Sequence, residues 1–124
     1  DYLKNLKLHS PSNIVFTGPL FGKKLQDLFG KSLIFCNLSL SEGFGLTTAE
    51  AMAAGCAVIS TIDIGQAGLF VNPKDIKSLE KSIRYLISNP KEVKRIGDAN
   101  KKLAKNYSWD KFVDGFVKIY KEIV

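Results

Sequence analysis

The residues best suited to chemistry lie within residues 39–60, SLSEGFGLTTAEAMAAGCAVIS. Glu42 and Glu50 stand eight residues apart, and Gly43 and Gly45 flank Phe44 between them. Carboxylates accept hydrogen bonds and suit sugar hydroxyls. A helix that starts behind a Gly-x-Gly loop offers unpaired backbone N–H groups and a partial positive charge, which together attract phosphate. Glycine leaves room for a ligand to reach the backbone. Amides for a diphosphate and carboxylates for hydroxyls make a site suited to a nucleotide-sugar. Each residue also has an ordinary role open to it. Glu50 can be a capping residue, Glu42 a solvated loop acid, and the two glycines turn formers.

These residues need a helix and a sheet to hold them. Thr47 followed by Glu50 matches a T-x-x-E capping box, so the helix is expected to start at Thr47. Ala49, Ala51, Ala53 and Ala54 favour helix and carry little bulk, which lets the helix press close to a sheet. Gly55 suits the left-handed position that ends it. CAVIS then reads as a buried strand. Residues 13–17 and 32–38 give two earlier strands, residues 57–60 the third and residues 67–71 a fourth. Runs apolar on both faces suit a parallel sheet covered by helices. Residues 23–30 form a helix ended by Gly30, with Leu25, Leu28 and Phe29 on one face. Later helices start at Asp75, at Asn89-Pro90 with proline in the first position, and at Ser108. The last carries a wide apolar face of Trp109, Phe112, Val113, Phe116, Ile119, Tyr120 and Ile123. Residues 1–8 read as a helix tail without a cap, and His9 as a loop residue. Strand–helix alternation predicts an open parallel α/β sheet, with the loop after each strand on the ligand-binding edge.

At E-G-F-G-L-x-x-x-E-A-M-A-x-G the chain resembles the donor-site motif of retaining GT-B glycosyltransferases, with its glutamates in E-x7-E spacing. NIVFTGPL, AGLFVNPKD and NYSWDKFVDGFVKIYKEI extend the resemblance in family order. It implies a Rossmann-like open parallel sheet with helices on both faces. It also implies that residues 1–124 are the partial, N-terminally truncated C-terminal domain of such an enzyme. The reaction implied is transfer of a sugar from a nucleotide-diphospho-sugar to an acceptor with retention of configuration, as in polysaccharide or glycoconjugate biosynthesis. Glu42 would take the catalytic position at the donor hydroxyls. Gly43, Phe44, Gly45, Leu46 and Thr47 would serve sugar and diphosphate through backbone amides, Glu50 the ribose, and Gly18, Pro19 and Leu20 the base. No metal or cofactor is implied. Residues 108–124 would dock on the N-terminal acceptor domain, and the fragment alone would be inactive. The interval from Thr61 to Gln66 is short for the family, so residues are expected to be missing between Thr61 and Gly65. A noncatalytic nucleotide-binding or docking module of the same fold is the alternative.

Composition sets the remaining bounds. The chain has 124 residues, 45% of them hydrophobic, which fits one domain or part of one. No apolar run approaches the ~20 residues of a membrane span. Cys36 and Cys56 sit in apolar runs and read as buried, reduced thiols, which fits a cytoplasmic protein. The net charge is +6, yet no Lys or Arg lies between Ser32 and Pro73. Phosphate bound at the motif therefore depends on backbone amides or on a cation from elsewhere. The basic C-terminal half reads as a solvated face, with attraction to the cytoplasmic face of an anionic membrane a lesser alternative. Nothing in it suggests nucleic-acid binding.

Overall fold

Three of the four expected apolar runs form a parallel sheet in order β1 (Ile34–Asn37), β2 (Ala57–Ser60) and β3 (Gly68–Phe70). The computed structural model describes every residue except Glu42, Phe44 and Val124, and describes Trp109, Phe112 and Phe116 by backbone alone. The helices are α1 (Tyr2–His9), α2 (Gly22–Lys31), α3 (Leu46–Ala54), α4 (Ile76–Ser88), α5 (Pro90–Ala104) and α6 (Trp109–Ile123).

Register explains how the two faces are covered. Ile34 pairs with Ala57, Phe35 with Val58, Cys36 with Ile59 and Asn37 with Ser60. Alternate residues face opposite sides of the sheet. One side carries Ala57 and Ile59, packed with Leu86 of α4 and Ile96 of α5. The other carries Phe35, whose ring lies 5.7 Å from that of Phe29 on α2, and Asn37, which bonds to Thr48 on α3. Helices thus cover both faces. The chain is α/β and Rossmann-like.

The expected strand over residues 13–17 does not form. Val15 is 81% exposed, and these residues join no ladder. A strand needs a neighbour for its backbone groups, and the sheet order offers none. In a doubly wound order of 3-2-1-4-5-6, the consecutive strands 3 and 4 lie three places apart, with strands 2 and 1 between them. Sequence adjacency to β1 therefore does not bring residues 13–17 beside it.

Other expectations need smaller corrections. Asp1 does cap α1, its carboxylate accepting from the Leu3 N–H at 3.1 Å. His9 ends that helix, with Nδ1 2.9 Å from the Asn5 carbonyl, rather than lying in a loop. Asn89 precedes Pro90 as expected, but its side chain donates back to the Tyr85 carbonyl of α4 and does not cap α5. Asp75 and Ser108 cap as expected. Cys56 is buried, with Sγ 3.4 Å from the Ser32 carbonyl. Cys36 is exposed, on the edge strand β1.

Residues 61–67 alone join parallel strands β2 and β3, where about a dozen or more residues is usual. The connection is held internally. The Ser60 hydroxyl accepts from the Ile62 N–H at 3.0 Å, Gln66 bridges Ile64 and Ile62, and the Tyr107 hydroxyl donates to the Ile64 carbonyl. Asn100, wholly buried on α5, donates to the Cys56 and Ala67 carbonyls and accepts from the Ala67 N–H. It thereby clamps the entrances of β2 and β3. On α6, Val113, Ile119, Tyr120 and Ile123 are exposed, so this part of the expected apolar face has no cover. Among the described residues, no helix is long and apolar enough to cross a membrane.

Candidate functional site

The start of α3 lies at the carboxyl edge of the sheet, one loop after β1. Gly45 is the N-cap residue in the left-handed conformation, φ 76° and ψ 46°, which a side chain would strain. The first helical bond runs from the Ala49 N–H to the Gly45 carbonyl at 3.1 Å. The expected capping box at Thr47 is absent, because the helix begins earlier. With Gly45 as N-cap, Thr47 and Glu50 lie inside the helix and cannot reach back as a box requires. No side chain among the described residues caps α3. The N–H groups of Leu46, Thr47 and Thr48 belong to the turn that a helix cannot satisfy internally.

The polar residue that turns inward is Thr48, not Thr47. Thr48 is 2% exposed, and its Oγ1 accepts from Asn37 Nδ2 at 3.0 Å. Asn37 Oδ1 accepts from the Ser39 N–H at 3.3 Å and from the Ser39 hydroxyl at 2.8 Å. The Ser39 carbonyl in turn accepts from Thr61 Oγ1 at 2.5 Å. The loop that carries Gly43 and Gly45 is thus tied at its first residue and at the helix it enters. The sign in the sequence is Asn37, a polar residue inside the apolar run LIFCNL.

Glu50 is exposed on the flank of α3 that faces α2. It lines a groove of about 350 Å³ together with Gly22, Leu25, Gln26 and Phe29 of α2 and with Ala53. Gly18, Pro19 and Leu20 immediately precede that end of α2, and Gly18 has φ 66°. The structure therefore puts Glu50 and the helix that follows the Gly18–Leu20 turn on one groove. Leu46 and Thr47 are exposed at the amide-bearing end of α3, and Gly43 is exposed in the loop before it. Glu42 and Phe44 lie outside the described residues, so the facing of the two glutamates stays an expectation.

No cation comes from the motif itself, as its composition requires. Lys23 and Lys24 stand in the first turn of α2, where Lys23 is paired with Asp27. Among the described residues, no group of three His, Cys, Asp or Glu is placed to hold a metal. A second hollow of about 470 Å³ lies at the opposite edge of the sheet, lined by Leu33, Ile34, Leu86 and Val93. Its charged rim includes Lys94, whose hydrogen bond holds the Asp98 carboxyl below its usual range.

With this geometry in place, similarity to known proteins becomes informative. The family profile described as "Glycosyl transferases group 1" matches residues 1–103. An uncharacterized glycosyltransferase of Methanocaldococcus jannaschii is 33% identical over 117 residues, covering 84% of this chain and 33% of the relative. An MMP alpha-(1->4)-mannosyltransferase of Mycolicibacterium hassiacum is 28% identical over 124 residues, covering 91% and 30%. Among solved structures, sucrose-phosphate synthase from Thermosynechococcus elongatus aligns with a TM-score of 0.81 at 21% identity, over 98% of this chain and 32% of that one. The chain spans about a third of the length of these proteins.

Proposed function

Because the chain belongs to the group 1 glycosyl transferases, we propose that it is the donor-binding part of a retaining GT-B enzyme. In this reading it takes a nucleotide-diphospho-sugar. The observation that supports this most is the start of α3, entered through Gly45 with no side-chain cap, and followed about one turn later by Glu50 on the groove against α2. Backbone amides of Phe44, Gly45, Leu46 and Thr47 hold the diphosphate. Glu50 accepts from the ribose hydroxyls, Glu42 contacts the donor sugar at the reacting centre, and the Gly18–Leu20 turn meets the base. Amides fixed before the reaction stabilise charge as it develops on the leaving diphosphate, and no metal is required for that step. The mannosyl transfer in the name of one relative fits a hexose donor.

An acceptor and a second, N-terminal domain complete the reaction. The exposed apolar residues of α6 dock on that domain in this reading, and the chain alone turns over no sugar. The working compartment is the cytoplasm. Calorimetric titration with UDP, GDP, ADP and their sugars, on the full polypeptide and on this chain, tests the proposal. Binding of one diphosphate family with micromolar affinity supports it. Absence of binding to all of them by the full polypeptide refutes it and leaves a docking module of the same fold.

A further inference from the structure

Resting on that reading, we infer that Asn37 and Thr48 are positioning residues for the diphosphate-binding amides. Their hydrogen bond aims the start of α3 at the ligand. Asn37 is the last residue of β1, and its side chain reaches three places at once. Nδ2 donates to Thr48 Oγ1 in the first turn of α3, and Oδ1 accepts twice from Ser39, which opens the loop. Its own backbone carbonyl accepts from the Thr61 N–H at 3.1 Å, which fixes Asn37 to the sheet. Asn37 is 8% exposed and Thr48 2%, so water does not substitute readily for either partner.

The geometry matters because, among the described residues, no capping side chain sets the angle of this helix start. A capping side chain ordinarily sets how a chain enters a helix, and α3 has none. The entry residue is glycine, which tolerates many backbone angles. The Asn37–Thr48 bond fixes the angle from the sheet instead. Neither residue touches the ligand in this arrangement. Small errors in the aim of bound groups cost large factors in affinity and rate, so the bond acts through the amides of Gly45, Leu46 and Thr47.

Two substitutions that differ only by a hydroxyl test this: Thr48→Ser and Thr48→Ala in the full polypeptide. Both remove the methyl group, so their comparison isolates the hydrogen bond. Thr48→Ser is expected to bind the preferred nucleoside diphosphate within about twofold of the natural protein. Thr48→Ala is expected to raise the dissociation constant by about tenfold, because a helix start free to shift misaims the amides. Selective 15N labelling of glycine, leucine and threonine reads the cause. Amide shifts at Gly45, Leu46 and Thr47 should move in Thr48→Ala and return in Thr48→Ser, while Gly68 and Leu69 of β3 stay put. Asn37→Leu should reproduce the Thr48→Ala shifts. Equal dissociation constants and equal amide shifts in the Ser and Ala variants overturn the inference. If the natural protein binds no nucleoside diphosphate, the functional reading fails. The amide shifts alone then decide whether the bond sets the helix start.

Discussion

Replacing Glu50 with alanine separates a ligand contact from a capping role. Glu50 is exposed and stands inside α3, where no hydrogen bond or ion pair to its carboxylate occurs among the described residues. Its removal therefore leaves the fold almost untouched. Alanine is the better helix former by a few tenths of a kcal/mol, and exposed substitutions of this kind stay within about 0.5 kcal/mol. The ligand has more to lose. A hydrogen bond to a charged acceptor contributes about 1.5–3 kcal/mol, and each 1.4 kcal/mol is about a factor of ten in affinity. A central value near 2 kcal/mol gives a dissociation constant raised about 30-fold for the preferred nucleoside diphosphate. Calorimetry measures that change, and a thermal melt on the same samples should show a midpoint shifted by about 2 °C or less. The reasoning is refuted if the dissociation constant stays within twofold while the midpoint falls by about 4–8 °C. That pattern means a capping loss of about 1 kcal/mol.

Three further outcomes are expected. Gly97→Ala would place its Cβ 2.2 Å from the Gly55 carbonyl oxygen, a backbone atom that cannot swing away. A loss of about 1–3 kcal/mol should appear in denaturant unfolding. Asn100→Ala strands the Cys56 and Ala67 backbone groups in the interior and should cost about 3 kcal/mol by the same measurement, since each orphaned buried group costs about 1–3 kcal/mol. Mass spectrometry after brief alkylation at neutral pH should find Cys36 modified and Cys56 intact: burial pushes both thiols up, so access decides, and Cys56 is buried while Cys36 is exposed.

Local signals foretold what local physics decides. Gly55 ended α3 in the left-handed conformation, Asp75 capped α4, and AVIS formed β2, because each depends on a few neighbouring residues. Residues 13–17 failed as a strand because pairing is a tertiary event, and their own apolar character could not supply a neighbour. The start of α3 differs from its local signal for a related reason. The T-x-x-E pattern at Thr47 is a genuine capping signal, but the Asn37 amide holds the Thr48 hydroxyl from eleven positions away, and the helix begins at Leu46 instead. Of the candidate site, Glu50 and α2 come to one groove through the packing of α2 on α3, which no spacing within the motif encodes. Family membership was legible in the motif itself, because its residues are close together in sequence and need no tertiary pairing to be read.

The bare opening turn of α3 has a bearing on protein engineering. An ordinary cap contributes about 1 kcal/mol, and among the described residues no side chain caps this helix. In the proposed reading, a substrate supplies that missing closure each time it arrives. Selecting variants for heat resistance alone would enrich side chains that plug the gap permanently. Such proteins would survive hotter and lose their grip on substrate, so any screen of this family for robustness needs a ligand in the tube.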